Sequence, residues 1–391
     1  MWGFIARMLR SPDRRGTDSI KWLRHARPGR DILPFWVADM DFTSPPEVID
    51  AMHARVAHGV FGYGNAPQGL VDAVCVYLLE SHGVQIQEDW IVWLPGMVPG
   101  LSVACRATGG AGDAAMILTP VYPPFFTAAR DAGMATQAVP MRLDVAADRY
   151  VPDIGAMEAA LTPATRVLLL CHPHNPVGRA FTTEELAALR GFCVANKLIL
   201  CSDEIHCDLI LDRTRTPHHT AIQWDGENGL QTITLHAPSK TYNIAGLGLS
   251  YAVIPNPELR AAFKAAMGGL VPYPNTLSLT AAEAAYRHGG PWLEDVLALM
   301  RDNHRLALGQ INAMPGMHAF PVEATYLMWI DARGLGVDDP HRFFLDNADV
   351  YLSSGKDFGA QGFLRLNFGC PRDMLELGLH RMAIAAATLT P

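Results

Sequence analysis

Residues 166–206 read RVLLLCHPHNPVGRAFTTEELAALRGFCVANKLILCSDEIH. Arg166 to Cys171 is a short, largely apolar run that breaks into His172-Pro173-His174-Asn175-Pro176. Leu198 to Cys201 is a second run, breaking into Ser202-Asp203-Glu204-Ile205-His206. Such runs, bounded by polar or Pro residues, predict buried strands. Between them Thr182 or Thr183 is placed to cap a helix, with Glu184 and Glu185 in its first turn. Leu186, Leu189 and Phe192 or Cys193 would form its inward face. Strand, helix, strand in this order predicts a parallel sheet with right-handed crossovers. The alternation extends outward from about Val92 to Ile254, adding Ala114 to Leu118 and Thr232 to Leu235 as buried strands. The expected fold class is therefore α/β: a large domain with a mostly parallel sheet flanked by helices.

The chain changes character near Gly290. A long helix is expected through Trp292 to Asn312, strands at Ala324 to Ile330 and Gly362 to Phe368, and a last helix near Met374 to Ala387. This predicts a smaller α+β lobe. The expected division is residues 1–50 as an N-terminal segment packing with the small domain, 51–289 as the large domain and 290–391 as the small one. Pro34 to Phe42 is read as an extended segment able to pack against either lobe.

With 391 residues, 49% hydrophobic and 18% charged, the chain has enough material for a large core plus a second domain. Its net charge of -8 and lack of a long Lys/Arg run argue against nucleic-acid binding. No apolar stretch is long enough to span a bilayer. The run Met1 to Arg10 is short, interrupted by Arg7 and without a small-residue cleavage site, so no secretory signal is expected. Seven cysteines (75, 105, 171, 193, 201, 207 and 370) form no C-x-x-C pair and are read as reduced thiols of a cytoplasmic protein. Cys171, His172, His174, Cys201, His206 and Cys207 lack ligand-type spacing, so no metal is expected from them.

In an open parallel sheet, ligands bind beyond the carboxyl ends of the strands. Four predicted strands deliver Tyr122, Asn175, Asp203 and Lys240 to that edge. A lysine buried there loses hydration, its amine pKa falls, and it becomes competent to form a Schiff base with an aldehyde. The other three match what pyridoxal 5′-phosphate (PLP) requires. Asp203 would face the pyridine nitrogen, Asn175 the phenolic oxygen, and Tyr122 the ring face. Pro95-Gly96-Met97-Val98-Pro99-Gly100 precedes an apolar helical run and suits phosphate, with the Ser239 hydroxyl assisting. Each residue also has an ordinary reading: Asp203 as a helix cap, Asn175-Pro176 as a turn, Tyr122 as core, His206 as a structural histidine. Glu204 is expected to point away from the ring. The joint pattern favours the cofactor site.

The sequence resembles the MalY/PatB family of cystathionine β-lyases, or C–S lyases, within the fold-type I aminotransferase class I/II superfamily. The resemblance spans nearly the whole chain. It rests on Asp13 to Trp22, Trp36 to Phe42, Phe61-Gly62-Tyr63-Gly64, Tyr122-Pro123-Pro124-Phe125 and His174 to Arg179. It continues through Ser202 to His206, Pro238 to Leu247 and Arg365 to Arg372. The resemblance implies that Lys240 carries the cofactor, with His206 near the phenolic oxygen. It further implies that Arg365 clamps the substrate α-carboxylate and that the Val37-Ala38 backbone lines the same pocket. Tyr63 is implied to reach a neighbouring subunit's site in a homodimer. Two positions depart from the family: Ala237 stands where a phosphate-binding serine is common, and Gly100 where a bulkier residue is.

The expected reaction is α,β-elimination of a cysteine-type amino acid carrying sulfur on its β-carbon, giving a thiol, pyruvate and ammonia, with L-cystathionine as the family substrate. A transaminase would use the same residues and differs in needing a 2-oxo acid. A PLP-binding regulator or inert scaffold is a third reading, opposed by the absence of a basic helix-turn-helix and by the retention of Lys240, Asp203 and Arg365.

Overall fold

The computed structural model describes residues 9–389; most of the Met1 to Arg10 run considered above lies outside the described residues. A seven-stranded sheet forms the centre. Its strands are β1 (Ile91–Leu94), β2 (Ala114–Thr119), β3 (Ala135–Pro140), β4 (Thr165–Cys171), β5 (Ile199–Asp203), β6 (Thr232–His236) and β7 (Ser250–Val253), in spatial order β1-β7-β6-β5-β4-β2-β3. From β6 to β3 all neighbours run parallel; β7 is antiparallel to both β6 and β1. Ala115, Ile117, Val167 and Leu169 turn to one face, and Met116, Leu118, Leu168 and Leu170 to the other; both faces are buried. This two-sided burial is why the parallel strands read as continuous apolar runs.

The predicted helix is Thr183–Asn196. Thr182 caps it in a reciprocal box with Glu185, and both Phe192 and Cys193 are buried with Leu186 and Leu189. Helix Met97–Thr108 lies on the opposite face. At Gly100 a Cβ would come within 3.1 Å of Leu94 and 3.4 Å of Leu235, so glycine there lets the helix sit close on the sheet.

Two strand ends differ from the sequence reading by two residues or more. β5 continues to Asp203, because Ser202 and Asp203 still pair with Leu170 and Cys171 on one side and Thr234 and Leu235 on the other. The strand expected from Ala324 starts at Leu327 instead, since Thr325 adopts a φ of 76° that breaks the extended run.

The C-terminal region holds a four-stranded antiparallel sheet: β8 (His318–Ala319), β9 (Leu327–Asp331), β10 (Ser353–Ser354) and β11 (Phe363–Asn367), ordered β8-β9-β11-β10. Helices Gly290–Asn312 and Arg372–Ala387 pack on it through Trp292, Val296, Met300, Leu375, Leu379 and Met382. Trp329 and Phe363 stack at 5.3 Å on its other face, within the same apolar cluster as Met116 and Leu170. All seven cysteines are free thiols, and no described helix is long and apolar enough to cross a membrane.

The extended segment near residues 33–42 touches both the C-terminal region and the Lys240 loop. Leu33–Pro34 pairs in parallel with Val350–Tyr351, and Phe35 packs where a side chain at Gly378 would fall 2.5 Å from its ring. Further on, Asn243 holds the segment to the Lys240 loop: its Oδ1 accepts from Met40 N at 2.9 Å, and its Nδ2 donates to the Met40 and Phe42 carbonyls at 3.1 and 2.7 Å. Asn243 has a φ of 55°, tolerated by asparagine better than by most residues. Asn243→Ala removes three partly buried hydrogen bonds and leaves alanine in a left-handed conformation. Urea unfolding should show a loss of roughly 3 kcal/mol; an unchanged midpoint would remove this residue from the account of how the segment is held.

Candidate active site

The carboxyl ends of β2, β4, β5 and β6 face a cavity of about 440 Å³. It is lined by Tyr122, Asn175, Asp203, His206, Ser239 and Lys240, by Gly96, Met97 and Val98 at a helix start, by Arg365 from β11, and by Trp36, Val37 and Ala38. All the site residues expected from sequence meet here except Tyr63, which is fully exposed between two helices and lines no part of this cavity. Glu204 is buried outside it, accepting from Ser202 Oγ, His218 Nε2 and Ala221 N, in keeping with the expectation that it points away.

Lys240 follows β6 after a three-residue turn, and its Nζ donates to the Ala38 carbonyl at 2.7 Å. The Tyr326 hydroxyl donates to the same oxygen at 2.9 Å. Burial pushes the Lys240 amine down to about 8; Asp39 and Asp203 oppose this, and Arg365 adds to it. Of the five lysines, at 21, 197, 240, 264 and 356, Lys240 is the one that lines this cavity. Lys21 is also buried, but its amine is bound to Asp41 at 2.6 Å.

Asp203 ends β5 with Oδ1 accepting from Ile205 N at 3.1 Å. Burial raises its carboxyl to about 7 despite that bond. A desolvated carboxylate of this kind is stabilised by a cation or N–H donor placed against it. His206 is pushed down to about 3 by burial, then by the charges of Lys240 and Arg365, so its imidazole is neutral at physiological pH. Tyr122 and Asn175 are tied together by Tyr122 N donating to Asn175 O at 3.1 Å, and burial raises the Tyr122 phenol.

Arg365 is 5% exposed. Its Nη1 donates to Asn175 Oδ1 at 3.0 Å, and its Nη2 to the Trp36 carbonyl at 2.6 Å and Ser353 Oγ at 3.2 Å. The guanidinium lies over Phe358 at 4.7 Å, and its Nε is buried without a partner. Burial lowers its pKa to about 10, which leaves it charged at neutral pH. Among the described residues no carboxylate lies within ion-pair distance of it, Asp357 acting on it only from further off, so it is a charge prepared for an anionic ligand.

Helix Met97–Thr108 starts at the cavity wall with no side chain capping it, and Pro99 carries no amide hydrogen. The Met97 and Val98 amides are thus first-turn donors at the positive end of a helix, suited to phosphate. Ala237 is buried in the apolar cluster and does not line the cavity, so this position offers no hydroxyl. Sequence reasoning missed Trp36, Ser353, Asp357 and Phe358, which line the cavity from short elements and connecting segments, and Asp39, whose carboxylate acts on Lys240. Trp36 and Asp39 fall within the Trp36 to Phe42 motif; Ser353 stands in a two-residue strand and Asp357 and Phe358 in the short turn after it, all too brief to leave a pattern.

The fit to PLP rests on these features together. A buried amine, a buried carboxylate that needs a donor, an uncapped helix start and an unpaired arginine line one cavity of cofactor size. The architecture is that of fold-type I enzymes, and the chain belongs to the aminotransferase class I and II family, whose model matches residues 30–382. Within it, the chain is 35% identical to cystathionine beta-lyase PatB of Bacillus subtilis, over 95% of this chain and 98% of that one. Among solved structures it is similar to OvoB, with a TM-score of 0.93 and 43% identity over 97% of this chain and 99% of that one. It is also similar to cystalysin from Treponema denticola, which contains pyridoxal 5′-phosphate, with a TM-score of 0.93 and 31% identity over 98% and 99% of the two chains.

The lowered amine pKa sets a pH dependence. Below about pH 8 the Lys240 amine is an ammonium and cannot attack an aldehyde; above it, the free amine predominates. Capture of added PLP by cofactor-free protein, followed by visible absorbance, should speed up as pH rises to about 8 and then level off. A rate that keeps climbing to the ordinary lysine range, about 10.4, would contradict a desolvated amine.

Proposed function

We propose that this chain is a PLP-dependent C–S lyase that carries out α,β-elimination on L-cystathionine or a related cysteine S-conjugate, releasing a thiol (homocysteine from cystathionine), pyruvate and ammonia. The observation that carries the reading is the placement of the buried Lys240 amine and the unneutralised Arg365 on one cavity, in a chain similar over nearly its whole length to a cystathionine beta-lyase.

When bound, PLP supplies an electron sink for the charge left on the substrate's α-carbon. Asp203 would hold the ring nitrogen in its protonated form. Asn175 and His206 would attend the phenolic oxygen, Tyr122 the ring face, and Met97, Val98 and Ser239 the phosphate. Arg365 grips the α-carboxylate, while the Val37-Ala38 backbone closes that side of the pocket. Lys240 Nζ takes the proton from the α-carbon. The bond from β-carbon to sulfur then breaks, and the sulfur leaves with the electron pair as a thiolate, a group stable enough to depart without a protein acid. Hydrolysis of the remaining three-carbon fragment gives pyruvate and ammonia.

The exposure of Val60, Phe61 and Tyr63 supports a homodimer in which Tyr63 of the partner subunit completes the site. The division at residues 50 and 289 and a cytoplasmic location belong to the same proposal.

With L-cystathionine and no 2-oxo acid, pyruvate should accumulate linearly through many turnovers. Turnover that stops without an added oxo acid would point to transamination instead. Arg365→Ala should raise KM and lower kcat/KM by about 100-fold, roughly 3 kcal/mol; unchanged kinetics would refute the carboxylate clamp.

A further inference from the structure

A second cavity, of about 720 Å³, lies away from Lys240, between helix Gln68–His82 and the start of helix Gly290–Asn312. Four donor atoms of different kinds meet on its wall. Tyr77 Oη lies 2.9 Å from His82 Nε2, 3.4 Å from Cys207 Sγ and 2.8 Å from Asp208 Oδ1. His82 Nε2 is 3.7 Å from Asp208 Oδ1, and the His82, Cys207 and Asp208 ligand atoms all fall within 4.8 Å of one another. A tetrahedral ion with bonds of about 2.0–2.3 Å has donor–donor edges of roughly 3.3–3.7 Å. Two of these separations, 3.4 and 3.7 Å, already match those edges; the short Tyr77 contacts at 2.8 and 2.9 Å would open and the rest, within 4.8 Å, would draw in as the four atoms take up an ion.

We propose that His82, Cys207 and Asp208, with Tyr77 or a water molecule as fourth ligand, form a binding site for a divalent transition-metal ion of the zinc type. A thiolate and an imidazole beside one carboxylate suit zinc and exclude magnesium and calcium, which take all-oxygen sites. The charges also fit, since one thiolate and one carboxylate neutralise a dication. Binding releases the Cys207 thiol proton to water, and the sulfur's electron pair forms the bond to the metal. The outer shell is in place. His236 Nδ1 lies 3.7 Å from Cys207 Sγ, positioned to donate to a thiolate, and Thr241 Oγ1 donates to the second Asp208 oxygen at 2.8 Å. His218, on the same wall, has its Nδ1 buried with no partner.

The site backs onto the catalytic cavity. Cys207 follows His206 in the chain, and Thr241 follows Lys240, so an ion here would brace from behind two residues that line the first cavity. Without an ion the same atoms make a closed hydrogen-bond set: Tyr77 donates to Asp208 and accepts from His82 and Cys207.

Metal analysis and X-ray absorption separate the two arrangements without reference to catalysis. PLP-loaded enzyme would be dialysed against chelator, equilibrated with zinc, desalted and measured at the zinc edge. One zinc per chain is expected, with a sulfur neighbour at about 2.3 Å and nitrogen or oxygen at about 2.0–2.1 Å. Cys207→Ser should lose the sulfur shell. His82→Gln should weaken zinc retention at least tenfold, the lower end of the roughly 10–100-fold lost with an outer-shell partner alone. Cys75→Ser, whose thiol is outside the set, should change nothing. Failure to retain zinc, a coordination shell of nitrogen and oxygen alone in the unsubstituted enzyme, or a sulfur shell that survives Cys207→Ser would each overturn the site.

Discussion

The removal of one amine from water is the constraint on which the site depends. Lys240 Nζ has a single hydrogen-bond partner among the described residues, the carbonyl of Ala38, and that carbonyl belongs to a segment two hundred residues away in sequence. The segment must therefore dock before the lysine is desolvated. Asn243, three residues beyond Lys240, clamps Met40 and Phe42. Asp41 is 2% exposed and carries the charges of Lys21 and Arg14 against it. An ion pair this deep is costly to leave half-made, so the docking should be sharply defined in position.

The same segment sets the arginine. Trp36 O and Ser353 Oγ accept from Arg365, Ser353 Oγ donates to Trp36 O, and Asn367 donates to the Val37 and Asp39 carbonyls. Backbone carbonyls thus orient both the amine on the large sheet and the guanidinium on the small one. They do so without neutralising either charge, which remains available for ligand. Asp203, held at the end of a paired strand and buried from solvent, is the matching group of opposite sign. These groups are costly to bury without ligand, and that cost is what gives the pocket its preference for a charged, planar cofactor and an amino-acid carboxylate.

Much of this was legible in the chain because parallel strands buried on both faces leave unbroken apolar runs. Tyr122, Asn175, Asp203 and Lys240 each stand at or just after such a run, and the topology carries them to one edge. What was not legible has specific causes. The bonds that the Trp36 and Ala38 carbonyls make to Arg365 and Lys240 are backbone parts, which leave no side-chain signature. Thr325, at a φ of 76°, interrupts a stretch whose composition reads as continuous strand. Phe358 and Asp357 belong to a short turn with no periodicity. His82, Cys207 and Asp208 converge from a helix end and a loop, so no ligand spacing exists to be read. The role proposed for Tyr63 would need a second copy of the chain; a single chain shows its exposure.

The central claim is that Lys240, and no other lysine, is the amine that holds the cofactor. Borohydride reduction of the PLP-loaded protein, followed by peptide mass spectrometry, tests it directly. The account predicts one phosphopyridoxyl group per chain, on the peptide containing Lys240. A label found instead on Lys21, Lys197, Lys264 or Lys356, or no label at all, would contradict it.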